Sequence, residues 1–354
     1  MNVNYYIIKY ICSNCLVTKF NAKNRVGLIG SGSWATAMIK MLGDNVVEKD
    51  IHWWVRKQED VDYIKKHKKN PSYLSAVEVK LDTDHISTNA REVIQVSNII
   101  ILNTPAAYLK AALKDVTKAD LEGKIIVSAI KGIVPDENLI IGDYLQEVYD
   151  VSLENILVVG GPCHAEEVSL EKLSYLTFGS KSEENANLVA SLLECRYIKT
   201  IISDDVYGIE YGAVLKNIYA LAGGICHSLG YGDNFQAVLI SNAIREMETY
   251  VETIDPNPLR DINKSAYLGD LLVTAYSQFS RNRTFGAMIG KGYSVQSAQL
   301  EMNMVAEGYY ASACIQHYMR KHQIALPICE AVHQILYQHK SAATIISQLA
   351  EKLS

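Results

Sequence analysis

From residue 24 onward the chain alternates short, mainly apolar runs with longer amphipathic stretches. The runs fall at 26–29, 51–55, 99–102, 125–128, 156–159, 176–178 and 198–202. Short runs without a polar alternation predict strands buried on both faces, as in a parallel sheet. Helical patterns between them complete a βαβα order, so 24–203 predicts a Rossmann-type, doubly wound α/β domain. At Ser203-Asp204-Asp205 the pattern changes. Ser and Asp are good helix caps, and a helical period follows with no convincing strand. Helices are expected over 206–229 (one long helix, with a break near Gly223-Gly224 left open), 234–252, 265–279, 295–318, 328–338 and 342–352. The second domain, 204–354, is therefore predicted to be all-helical. Residues 1–23 stand outside this pattern and read as an appended tail or a mis-called start. Their apolar stretch at 5–12 is far too short to span a membrane and lacks a secretory cleavage site.

Composition narrows the class. With 354 residues, 49% of them hydrophobic and 21% charged, the chain is long enough for two packed domains. A net charge of -5 excludes a general nucleic-acid binder, which needs a basic face. The seven cysteines are scattered, and Cys12 and Cys15 form a lone C-x-x-C without a second pair. That usage predicts neither a disulfide framework nor a metal site and fits a reducing cytoplasm.

The first apolar run enters Gly30-Ser31-Gly32 and then a helical pattern. Strand, glycines and helix in that order form a dinucleotide-binding turn. Gly30 permits the tight bend, Gly32 lets a pyrophosphate approach, and Ala35 stands where a third glycine is usual. The second strand ends at Arg56, where NAD-selective folds place a carboxylate for the ribose 2′-hydroxyl. Arg56 either accommodates the 2′-phosphate of NADP or is a solvated charge at a strand end. Lys131 follows another strand, at the sheet edge where ligands of open α/β folds collect, and Gly160-Gly161 makes a second glycine turn.

In the helical half, Lys216 sits in an apolar stretch with Gly212, Ala213 and Ala220 on its face. Buried there, it would have a lowered pKa and serve as a general acid; otherwise it snorkels to solvent. Asp270 and Thr274 share a helical face, and Asp270 either orients an ammonium or a hydroxyl, or merely caps. Arg281 and Asn282 offer donors suited to phosphate and sugar oxygens. Glu307 reads equally as a surface charge.

Six motifs occur in order: Gly-Ser-Gly-Ser-Trp-Ala-Thr-Ala at 30–37, Ala-Ile-Lys-Gly-Ile at 129–133, Gly-Pro-Cys-His-Ala-Glu-Glu at 161–167, Gly-Ala-Val-Leu-Lys-Asn-Ile at 212–218, Gly-Tyr-Gly-Asp-Asn at 230–234 and Ser-Arg-Asn-Arg at 280–283. Together they resemble the soluble, bacterial-type family of NAD(P)-dependent glycerol-3-phosphate dehydrogenases over about residues 24–340. The resemblance implies a reductase for dihydroxyacetone phosphate, using NAD or NADP. Lys216 matches the proton-transferring lysine. Lys131, Gly161, Cys163, Asp270, Thr274, Ser280, Arg281 and Asn282 match substrate positions. Ser33, Trp34, Arg56, Lys131, Ala165, Arg281 and Glu307 match cofactor positions. A cytoplasmic homodimer supplying glycerol 3-phosphate for phospholipids is implied as well. Cys163 stands where Ser or Thr is usual, His164 where Phe is usual, and Asn103-Thr104-Pro105 where Val-Pro-Ser/Thr is commoner. Two alternatives stay open: another hydroxyacid or ketoacid reductase of this architecture, and a non-catalytic NAD(P) sensor. A phosphate-free substrate would leave Arg281 and Asn282 without a ligand, and a sensor would have no use for Lys216 or Asp270.

Overall fold

The structure, a computed structural model, describes residues 24–302 and 305–354. The expectations for 1–23, including Cys12 and Cys15, lie outside the described residues. Among the described residues ten strands run in chain order: β1 (Asn24–Ile29), β2 (Lys49–Trp54), β3 (Ile86–Ser87), β4 (Ile99–Leu102), β5 (Ile125–Ser128), β6 (Ile133–Val134), β7 (Leu139–Ile140), β8 (Ile156–Gly160), β9 (Ser174–Ser180) and β10 (Ile198–Ser203). Eight of them form one sheet in the order β10-β9-β8-β5-β4-β1-β2-β3. Alternate residues feed opposite cores: Ile99 and Ile101 pack on one face, Ile100 and Leu102 on the other. Burial on both faces explains why these strands read as continuous apolar runs.

Six of the eight strands are parallel, but β9 pairs antiparallel with β8 and carries β10 with it. This departs from the uniformly parallel sheet expected over 24–203. The helix between β8 and β9, Ala165–Ser169, has only five residues. At about 1.5 Å per residue it cannot return the chain across the sheet, so β9 starts where β8 ended. The short β6–β7 hairpin was not foreseen; it lends Ile133 and Ile140 to the helical core.

Among the described residues no strand follows Ser203. The helical half is organised around α1 (Val206–Ser228), which is buried on nearly every side. Around it pack α2 (Asp233–Ile254), α3 (Asp270–Tyr276), α4 (Arg281–Gly290), α5 (Glu307–His322), α6 (Pro327–Tyr337) and α7 (Ala342–Ala350). One open point is settled and two expectations need correction. Helix α1 runs unbroken through Gly223-Gly224. A Cβ on Gly224 would overlap Arg283 O, and one on Gly286 would overlap Leu221 O. These glycines therefore let α1 and α4 touch backbone to backbone. The expected helix over 265–279 is a π-helical turn, Ser265–Gly269, followed by α3, and α4 begins separately with the Ser280 hydroxyl accepting Arg283 N–H. The pattern at 295–318 divides into Val295–Glu301 and α5. No helix among the described residues is long and apolar enough to cross a membrane.

Candidate active site

The strand order reverses direction at β1, which has β2 on one side and β4 on the other. Ligands of open α/β sheets bind outside the strand ends at such a switch point. Here it opens into a cleft of about 1080 Å³ that continues down to α1, α3 and α4.

The glycine turn forms the upper wall. Gly30 has φ of 146°, and a Cβ there would meet Asn103 O at 2.5 Å, so only glycine fits between β1 and the end of β4. Its carbonyl accepts the indole N–H of fully buried Trp53 at 2.7 Å. Trp54, on the opposite strand face, lines the cleft instead. Asn70 donates to Ser31 O at 3.0 Å and to Thr36 Oγ1 at 2.9 Å, bracing the glycine turn. Helix Ser33–Asp44 then starts with its N-terminal end at the cleft. Among the described residues, five buried polar atoms on cleft-lining residues have no hydrogen-bond partner: Trp34 Nε1, Asn103 Nδ2, Thr104 Oγ1, His164 Nε2 and Glu307 Oε2. Orphaned donors and acceptors beside a phosphate-binding turn fit a long, polar dinucleotide. Arg56 lies exposed at the rim, as its place after β2 predicted, while Ser33 and Ala165 line the same wall.

The floor holds a buried ionic cluster. Lys216, only 4% exposed, does not snorkel; its Nζ donates to Asp270 Oδ1. Lys131 Nζ donates to Asp270 Oδ2 at 3.0 Å and to Gly161 O at 3.3 Å. Asp270 is 1% exposed and bridges two ammonium groups, so it is more than a cap. Thr274 Oγ1 donates to Asp270 O at 2.6 Å and steadies that turn. The π-helical turn before α3 aims Asp270 inward, a feature common at functional sites. Burial and the neighbouring Lys131 charge bring the Lys216 pKa down toward neutrality despite Asp270, whereas Asp270 holds Lys131 protonated against its own burial. The same two lysines keep Asp270 ionised in spite of burial.

Sequence reasoning missed Asn217. Its Nδ2 donates to Lys131 O at 2.8 Å, and its Oδ1 accepts Asn282 Nδ2 at 2.9 Å. Asn282 Oδ1 in turn accepts Gly308 N–H at 2.9 Å. A second polar residue directly after Lys216 in a buried helix was the available signal. Asn282 thus braces the floor and keeps one amide N–H for a ligand. Arg281, at the start of α4, lines the cleft and makes no ion pair among the described residues. Glu307 is no surface charge: Oε1 accepts Ala106 N–H at 2.9 Å, and burial pushes its carboxyl up to about 7. Cys163 and His164 also line the cleft; burial drives the thiol up to about 12 and, with the two lysines, the imidazole down to about 4.

Family models described as the NAD-dependent glycerol-3-phosphate dehydrogenase N-terminus and C-terminus match residues 25–186 and 205–347. The chain belongs to that family. A glycerol-3-phosphate dehydrogenase [NAD(P)+] of Bacillus pumilus is 32% identical over 93% of this chain and 94% of its own length. The Bacillus subtilis relative of the same description is 33% identical over 92% of this chain and 93% of its own. The crystal structure of glycerol-3-phosphate dehydrogenase from Coxiella burnetii superposes with a TM-score of 0.85 at 23% identity, covering 93% of this chain and 99% of that one. D-mandelate dehydrogenase, at a TM-score of 0.57 and 17% identity over 93% of this chain and 100% of its own, shares the fold alone. Membership makes the chain an NAD(P)-dependent oxidoreductase for a small phosphorylated substrate.

Proposed function

We propose that this chain interconverts dihydroxyacetone phosphate and sn-glycerol 3-phosphate, with Lys216 carrying the proton to and from the substrate oxygen. The observation behind this reading is the Lys131–Asp270–Lys216 cluster, whose lysines keep unused N–H donors where the floor opens to the cleft. When bound, a dihydronicotinamide would supply hydride to the ketone carbon. The protein's own residues do the rest. Arg281 and the free N–H of Asn282 hold the phosphate, with the net positive floor favouring an anion. Lys216 donates to the ketone oxygen, and its lowered pKa lets it release that proton near neutral pH. Lys131, kept protonated by Asp270, leaves a fixed positive charge beside the oxygen as negative charge develops. Asp270 holds both ammonium groups in place, and Thr274 and Asn217 hold the segments that carry them. In this reading 24–203 binds the dinucleotide, 204–354 binds the triose phosphate, and a cytoplasmic homodimer supplies glycerol 3-phosphate for phospholipids.

The test is loss of nicotinamide absorbance with dihydroxyacetone phosphate, run across pH with a phosphate-free ketoacid as control. Reduction specific to the phosphorylated ketone is expected, with kcat/KM falling on the alkaline side from near neutrality rather than near the ordinary lysine pKa of about 10.4. Turnover of the ketoacid alone would overturn the assignment.

A further inference from the structure

We propose that His164 recognises the hydroxymethyl end of the ketone substrate, its Nε2 accepting the hydrogen bond of the hydroxyl group. This rests on the reading of the chain as a reductase of dihydroxyacetone phosphate and deepens it. That reading gives the phosphate to Arg281 and Asn282 and the ketone oxygen to Lys216 and Lys131, so the substrate's hydroxyl has no partner yet. His164 has the matching gap. It is partly buried and lines the cleft, and its buried Nε2 has no hydrogen-bond partner among the described residues. A ring nitrogen shielded from water and left unpaired is costly, and a donor on a ligand removes that cost.

Contacts from both halves of the molecule place the ring. On its own side, Gly161 O accepts Lys131 Nζ at 3.3 Å, which ties the turn after β8 to the ionic floor. His164 O accepts Val168 N–H at 3.0 Å as the helix Ala165–Ser169 begins. On the helical side, the Val273 carbonyl of α3 accepts a hydrogen bond from the imidazole. The Phe279 ring, on the turn between α3 and α4, stands 6.5 Å away at an angle of 52°. Phe279 N–H donates to Ser277 Oγ at 3.1 Å, so that turn is itself held. Because Nε2 is unpartnered, the group that donates to Val273 is Nδ1–H. In a neutral imidazole the other nitrogen then carries the lone pair, so Nε2 accepts and does not donate. The ring is neutral near pH 7: burial first, then Lys216 and Lys131, hold its pKa down to about 4 against Asp270 and the Val273 carbonyl. A neutral acceptor suits a hydroxyl. A phosphate dianion or a ketone oxygen has no hydrogen to give it, and those groups go to the donors Arg281, Asn282, Lys131 and Lys216.

The experiment compares dihydroxyacetone phosphate with hydroxyacetone phosphate, in which a methyl replaces the hydroxymethyl, in steady-state nicotinamide absorbance assays of wild type, H164F and H164Q. Wild type is expected to prefer the hydroxylated ketone by about 10- to 100-fold in kcat/KM, the scale on which a site built for a hydroxyl rejects its absence. Most of that preference should lie in KM, because the hydroxyl is held alike before and during hydride transfer. H164F should use the two ketones with nearly equal kcat/KM, and H164Q, whose amide oxygen still accepts, should keep part of the preference. Equal use of both ketones by wild type, a comparison that needs no variant, would overturn the proposal and leave the reductase reading standing. So would an H164F ratio equal to that of wild type, including equal losses on both ketones, which marks the ring as packing alone. Turnover of neither ketone by wild type would sink the reductase reading together with this one.

Discussion

Two buried ionic networks sit on the helical half, and they differ in how completely their donors are used. Arg260, with a side chain only 1% exposed, makes five hydrogen bonds: to both Asp205 oxygens, Glu252, and the side chain and carbonyl of Asp255. That uses every N–H of the guanidinium. The Asp205 carboxylate also accepts Gly208 N–H and the Tyr267 hydroxyl, so the network ties the start of α1 to the loop after α2. Nothing in it is left to bind a ligand. Lys216, by contrast, makes a single side-chain bond, to Asp270, although an ammonium has three donors. Both networks carry the cost of buried charge. Saturation marks the first as architecture, and the unused donors facing a cleft mark the second as chemistry.

The contrast breaks most sharply by deletion. Lys216→Ala should cut kcat by about 10²–10⁴-fold, the scale of a lost general acid, and leave the thermal transition close to wild type because Asp270 keeps Lys131. Near-normal turnover in a steady-state assay would place the proton elsewhere. Arg260→Ala should do the reverse. It strands buried Asp205 without its counter-charge, at about 3–5 kcal/mol in denaturant unfolding, while kcat per folded molecule is unchanged. A stable but inactive Arg260→Ala protein would erase the distinction between the networks.

The sequence showed only part of this difference. Lys216 stood out because a lone cation interrupts an apolar helix flanked by small residues, and Gly30 because strand, glycine and helix occur in order. Arg260 and Asp205 are 55 residues apart and carried no local sign of their pairing. Glu307 looked like a surface charge because its burial depends on Ala106, 201 residues away. The antiparallel turn into β9 was hidden since apolar runs do not encode strand direction; the short helix before it did. The break left open at Gly223-Gly224 does not occur: glycine weakens a helix in isolation, whereas here it removes the Cβ that would keep α4 from approaching.

A smaller effect sharpens the view that the floor is braced as well as charged. Asn217→Ala leaves Lys131 O and the Asn282 amide without their partner. KM for the phosphorylated substrate should rise by about tenfold, the scale of one buried unsatisfied hydrogen bond, with kcat changed less. Because the two amides share a bond, the Asn217→Ala, Asn282→Ala double variant should cost less than the product of the single effects. Strict additivity would separate Asn217 from the substrate end of the cleft.

The smallest effect concerns Glu307, which belongs to neither network. Its pKa is raised from the ordinary 4.5 to about 7, chiefly by burial, against the Ala106 N–H and the Arg281 charge. An acid whose folded pKa exceeds its unfolded value keeps in the native state a proton that the unfolded chain has already lost. Between pH 4.5 and about 7 its contribution to stability therefore falls as pH rises, and the loss is complete above that window. Buried Glu246, also raised to about 7, slopes the same way, so wild type alone cannot isolate Glu307. The variant can. Glu307→Gln keeps an acceptor for Ala106 N–H but cannot ionise, so its melting temperature should fall less than that of wild type between pH 5 and pH 8, by about 2–4 °C per kcal/mol recovered. Parallel curves for the two proteins would mean that Glu307 is already ionised in the folded state, with Arg281 rather than burial deciding its charge.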